Sequence, residues 1–146
     1  MFARRMGGPR PTHQASLRRG AYSALFGLEI LVVEDEALVL MSLEDMLAEF
    51  GCVVAGTASS VSDALSAIMT SDGLDAAILD VNLLDGEKVY PVADILAERG
   101  VPLVFSTAFA GADILDRYPQ GRLLKKPYTP EALAEMLIEV AYDQRH

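Results

Sequence analysis

Glu34, Asp35, Asp80, Thr107 and Lys126 are the residues of this chain whose types and placement could do phosphoryl chemistry. Asp80 ends the apolar run Ala76-Ala77-Ile78-Leu79, and Glu34-Asp35 follow Ile30-Leu31-Val32-Val33. Lys126 follows Leu123-Leu124-Lys125 and runs straight into Pro127. Moving a phosphoryl group takes a nucleophile, a divalent cation and fixed positive charge around the phosphoryl oxygens. A carboxylate such as Asp80 can form an aspartyl phosphate. Glu34 and Asp35 offer hard oxygen ligands, which favour Mg²⁺. Carboxylates crowded in one cleft repel one another, and a cation relieves that repulsion. Lys126 would set a point charge on one phosphoryl oxygen and Thr107 a hydroxyl on another.

Each of these residues also has a plain structural explanation. An Asp after a strand is often a helix cap or turn former, and Glu34-Asp35 could be charges favoured at a helix N-terminus. Lys126 could be a solvated loop lysine, and Thr107 alone says almost nothing. Their combination carries the argument, because all of them close the right kind of segment in the right order.

Stepping along the chain, short apolar runs of this kind read as strands buried on both faces of a parallel sheet. Strands are expected near residues 28–33, 52–57, 75–79, 102–106 and 121–125. Between them, Leu40, Leu43, Leu47 and Phe50 fall at helical spacing over 36–50, with Gly51 as the stop. Ser59-Ser60 precede a helix with Val61, Leu65, Ile68 and Met69 on one side. Pro91 fits the first turn of a third helix, which carries Val92 and Leu96 and stops at Gly100. Residues 110–118 make a short, weak fourth helix, and Thr129-Pro130-Glu131 caps a fifth with Leu133, Leu137 and Val140 in register. Five strands alternating with five helices predict a three-layer α/β fold, with helices on both faces of a doubly wound, five-stranded parallel sheet and right-handed crossovers. In such sheets ligands bind outside the carboxyl ends of the strands, where the residues above would meet.

A chain of 146 residues fits one domain with a real core. No apolar stretch approaches the roughly 20 residues of a membrane span. Cys52 is the only cysteine, so no internal disulfide forms, and its setting Cys52-Val53-Val54-Ala55 reads as a small buried side chain. Residues 1–27 hold Arg4, Arg5, Arg10, Arg18 and Arg19 but no acid, leaving seven basic residues against all 21 acids in 28–146. A body this acidic argues against nucleic-acid binding, which depends on neutralising phosphates. The basic leader, rich in Gly, Pro, Ser and Arg, reads as a flexible tail without the apolar core of a secretory signal. Extra residues from an upstream start, a docking arm and a targeting segment all remain open for it.

Over about residues 28–144 the chain resembles the receiver domain of two-component response regulators. The resemblance rests on Val33-Glu34-Asp35-Glu36, Leu79-Asp80-Val81-Asn82-Leu83, Ser106-Thr107-Ala108 and Lys126-Pro127-Tyr128. It implies a flavodoxin-like fold with strand order 2-1-3-4-5 and a division into a 1–27 leader and a 28–146 receiver. It also implies that Asp80 accepts a phosphoryl group from a phosphohistidine on a sensor histidine kinase or phosphotransfer protein. Asp35 and Asp80 would ligate Mg²⁺ directly, Glu34 through a water, and Asn82 through its backbone carbonyl. Thr107 and Lys126 would hold the phosphoryl oxygens and carry the signal. The resemblance further implies a cytoplasmic bacterial switch rather than a turnover enzyme, with output by contact with a downstream protein. The face formed by the fourth and fifth helices and the fifth strand is the expected contact surface, and homodimerisation through it is open. No nucleic acid and no membrane is expected as a partner.

The chain departs from the common pattern in places. Leu84 stands where many receivers have a proline, and Leu123 where many have an aromatic switch residue, so a Thr–aromatic relay is not expected. These features, with Tyr90-Pro91-Val92-Ala93 and Gly100-Val101-Pro102, resemble a subgroup with a Phe-Ala-Thr-Gly-apolar-Tyr signature whose members often stand alone or regulate bacterial stress signalling. Phe105-Ser106-Thr107-Ala108-Phe109-Ala110 is an imperfect match to that signature and lacks its last aromatic. Phe109 is expected near the site's mouth, where it either shields the aspartyl phosphate from water or packs on the loop. Two other classes compete. A haloacid-type phosphohydrolase needs an acid where Asn82 stands and a cap for which the chain has no room. A phosphate-independent pseudo-receiver binding module would keep the fold without the chemistry.

Overall fold

The computed structural model describes residues 22–83, 86–108 and 112–143. The expectations attached to residues 1–21, Leu84, Asp85, Phe109 and Ala110 lie outside the described residues. Strands β1 (Glu29–Val33), β2 (Val53–Ala58), β3 (Ala76–Asp80), β4 (Leu103–Thr107) and β5 (Arg122–Lys125) alternate with helices α1 (Ala37–Phe50), α2 (Val61–Met69), α3 (Tyr90–Glu98), α4 (Ala112–Arg117) and α5 (Pro130–Asp143). All strand pairs are parallel and the order is β2-β1-β3-β4-β5, as expected.

Alternation along the strands builds two cores. Ile30, Val32, Ile78 and Val104 point to one face, where Leu43, Leu47 and Phe50 of α1 and Leu133, Leu137 and Val140 of α5 cover them. Leu31, Val33, Ala77, Leu79, Leu103 and Phe105 point to the other, beneath α2, α3 and α4. Strands buried on both faces can afford polar residues only at their ends, so the sheet delivers its acids and hydroxyls to one edge.

Local chemistry sets the helix ends. Gly51 takes the left-handed conformation, φ 84°, at the C-terminus of α1. Ser60 Oγ accepts from Asp63 N at 3.1 Å and Thr129 Oγ1 from Ala132 N at 3.0 Å, capping α2 and α5. Pro91 occupies the first turn of α3.

Three details correct the sequence reading. The packed unit starts before residue 28, because a 3₁₀ turn at Ser23–Leu25 buries Leu25 completely and sets Tyr22 edge-on to Phe50 at 4.5 Å. Met69 does not share the inward side of α2: Ala64 and Ile68 fill that side and Met69 is 81% exposed in its last turn. Cys52 is half-buried rather than enclosed, and its Sγ lies 3.4 Å from Leu25 O. Burial, helped by the charge of Asp75, still pushes its thiol up to about 12, which disfavours the thiolate.

Candidate acidic phosphoryl site

The register brings the predicted residues to one place. β1, β3 and β4 end side by side, with Val33 paired to Leu79 and Asp80 to Ser106. Thr107 pairs with Lys125 of β5, and Thr107 O accepts the N–H of Lys126 at 2.8 Å. Glu34, Asp35, Asp80, Thr107 and Lys126 therefore converge on the carboxyl edge of the sheet.

Glu34, Asp35 and Asp80 each offer a carboxylate oxygen, and these oxygens lie within 4.8 Å of one another. Glu34 and Asp80 are buried and Asp35 is half-buried. Lys126 Nζ bridges the two buried acids, 3.1 Å from Glu34 Oε1 and 3.4 Å from Asp80 Oδ2. Glu34 Oε2 also accepts the N–H of Glu36 at 3.1 Å, and Asp80 Oδ1 the N–H of Asn82 at 3.2 Å. Each buried carboxylate is thus held at both oxygens, which is how buried charge becomes tolerable.

The electrostatics remain unbalanced, with three acids against one lysine. Burial and the charge of Glu34 push the Asp80 carboxyl up to about 7, although Lys126 pulls the other way. For Lys126, burial works to lower the pKa, but the bonds and charges of Glu34 and Asp80 outweigh it and the net shift is upward. Burial, reinforced by Glu34, also pushes the Tyr128 hydroxyl up to about 12. A divalent cation fits this arrangement: hard oxygens from three carboxylates cluster around a cleft that is short of positive charge.

Asn82 stands beside the acids as expected, with an exposed side chain whose Oδ1 accepts from Lys88 Nζ. Leu123 is half-buried, packs among the residues of the second core and pairs with Phe105, so no aromatic ring stands at that position. Sequence reasoning missed Lys88 and Glu87, whose carboxylate accepts the N–H of Val61 at 3.1 Å and ties this loop to α2. It also missed Asp94, which accepts from the Tyr118 hydroxyl at 2.6 Å and from Arg117 at 2.9 Å and so fastens α4 to α3. These are single polar residues in loops or on helix surfaces, with no spacing rule to mark them.

A five-stranded sheet in this order, with acids and a lysine meeting at its carboxyl edge, defines a signalling-receiver type of α/β domain. The chain belongs to the response regulator receiver domain family, whose model matches residues 30–138. Among individual relatives, it is similar to SdrG from Sphingomonas melonis Fr1, with 42% identity over 80% of this chain and 97% of that one and a TM-score of 0.68. The response regulator PhyR from Brucella abortus shares the fold, with a TM-score of 0.75 and 24% identity over 89% of this chain and 54% of that one. The transcriptional regulatory protein PdtaR of Mycobacterium tuberculosis is 28% identical over 114 residues, 77% of this chain and 55% of that protein. The chain spans about half the length of the curated relatives it matches.

Proposed function

We propose that this domain is a Mg²⁺-dependent phosphoacceptor switch, with Asp80 as the acceptor. The observation that carries the reading is the convergence of Asp80, two further carboxylates and Lys126 at one strand edge, with Lys126 Nζ already within 3.4 Å of the acceptor. Mg²⁺, held by Glu34, Asp35, Asp80 and the Asn82 carbonyl, would neutralise the acids and the incoming phosphoryl oxygens. Asp80 attacks phosphorus, the bond from phosphorus to the donor's histidine nitrogen breaks, and the freed imidazole takes up a proton from solvent. Hydrolysis later returns Asp80 as a carboxylate and releases inorganic phosphate.

Lys126 would hold a phosphoryl oxygen through its ammonium, and Thr107, buried at the end of β4, would offer its hydroxyl to another. Leaving Asp80 for the phosphoryl group would break one of the two contacts Lys126 now makes, and β5, which ends at Lys125 just before it, carries the change toward α5. Phosphorylation thereby biases a two-state equilibrium that a downstream protein reads. A relative 43% identical to this chain, SdrG from Pseudomonas melonis Fr1, has a BeF3-activated conformation. That supports a switch in this domain that beryllofluoride can also activate. A structural relative 26% identical, PhyR, is a stress response regulator. Membership of the response regulator receiver family supports a sensor kinase or phosphotransfer protein as the donor and a downstream protein as the output partner.

The test is an amide NMR titration of the full chain with Mg²⁺ and beryllofluoride. Shifts at Asp80, Thr107, Lys126 and along β5, absent in Asp80→Asn, are expected. An unchanged spectrum would replace this reading with that of a phosphate-independent binding module.

A further inference from the structure

We propose that Lys88 is a positioning residue for the acceptor, acting through Asn82. The proposal rests on the reading of Asp80 as a metal-assisted acceptor. After β3 the chain folds back so that Asn82 and Lys88 face each other in an antiparallel bridge. Two backbone bonds brace that fold, Leu83 N to Glu87 O at 2.8 Å and Val89 N to Val81 O at 3.3 Å, and Val89 is fully buried beneath it. Across the bridge Lys88 Nζ donates to Asn82 Oδ1. The N–H of Asn82 in turn donates to Asp80 Oδ1 at 3.2 Å. Two hydrogen bonds, one to the side chain of Asn82 and one from its backbone, therefore link an exposed lysine to the buried acceptor.

The backbone at Asn82 serves the site at two points. Its N–H orients the Asp80 carboxylate, and its carbonyl is the group that would meet Mg²⁺. A change in the local dihedrals disturbs both. Asn82 is exposed, so packing does not fix it; its fixed points are the bridge and Lys88. The ammonium makes a charge-assisted bond to a neutral amide oxygen, stronger than a neutral pair would make. Holding the loop in its metal-ready shape before the ion arrives removes an ordering cost from binding. Alanine at 88 keeps the backbone bridge but loses the tether, and arginine keeps a cationic donor of similar reach.

The experiment compares the full-length wild type with Lys88→Ala and Lys88→Arg, first metal-free and then titrated with Mg²⁺ alone. In metal-free Lys88→Ala, the Asn82 amide should exchange faster and lose order while the melting temperature stays close to wild type. Mg²⁺ should bind about fivefold more weakly, as expected for one lost charge-assisted bond at an exposed position. Lys88→Arg should restore both. An Asn82 amide equally ordered in Lys88→Ala, with Mg²⁺ affinity within about twofold of wild type, would overturn the proposal. A wild type that binds no Mg²⁺ would instead remove the acceptor reading beneath it, whatever the Asn82 amide shows.

Discussion

Asp80 combines a buried position, a neighbouring acid and a single lysine contact, and its titration follows from that combination. Its carboxyl is pushed up to about 7 by burial and by Glu34. Between the ordinary Asp value and 7 the folded state binds more protons than the unfolded one, so the metal-free protein loses stability as pH rises through that window. Asp80→Asn should therefore raise the melting temperature of metal-free protein at pH 7.5 and have little effect near pH 4, as thermal melts at both pH values would show. Mg²⁺ has to displace the Asp80 proton below pH 7. Its affinity should fall by up to about tenfold per unit under that pH, whereas a flat profile by calorimetry would contradict the assignment. Lys126 is the counter-charge to two buried acids. Lys126→Ala should cost about 2 kcal/mol without metal, and added Mg²⁺ should recover much of it, measured by denaturant unfolding.

Elements decide which polar groups reach the edge and how tightly they are held. The loop after β3 is fastened to α2 by Glu87, whose carboxylate caps Val61 N alongside Ser60. Glu87→Ala should cost about 1 kcal/mol and increase amide exchange in the first turn of α2, a change that hydrogen-exchange NMR would register. The six-residue α4 has little intrinsic stability. Tyr118 anchors it by stacking near Phe105, at 5.2 Å between ring centres, and by its bond to Asp94. All five strands and five helices were legible in the sequence: apolar runs ending in acids, hydroxyls or lysine marked β1, β3, β4 and β5, and the half-exposed edge strand β2 showed as the short apolar run after Gly51. Ser60, Gly51 and Thr129 marked their helix ends by conformational chemistry that needs no tertiary context. Glu87, Lys88 and Asp94 were not legible, since their partners Val61, Asn82 and Tyr118 are fixed by how loops and helices meet. Met69 misled because a residue one position along a helix from the inward Ile68 turns by about 100°.

At the scale of the whole molecule, the domain is closed at its N-terminal end by residues that composition alone assigned to the leader. Tyr22 and Leu25 seal the core between α1 and α5, and the Tyr142 hydroxyl donates to Ala24 O. A polar, Gly- and Arg-rich neighbourhood hid them, because two buried side chains are too few to show periodicity. Leu25→Ala should cost about 2–4 kcal/mol, and a chain starting at Leu28 should lose at least as much in denaturant unfolding. No helix among the described residues is long and apolar enough to cross a membrane. The acidic cleft, by contrast, was legible as a set: Glu34, Asp35, Asp80, Thr107 and Lys126 needed only parallel neighbouring strands to meet. Whether that cleft takes up a phosphoryl group is measured most directly by intact mass. The protein would be incubated with a small acyl phosphate, with and without Mg²⁺, beside Asp80→Asn. The account predicts a gain of one phosphoryl group that needs both Mg²⁺ and Asp80. Folded wild-type protein that gains none, or an Asp80→Asn variant that gains as much, would contradict it.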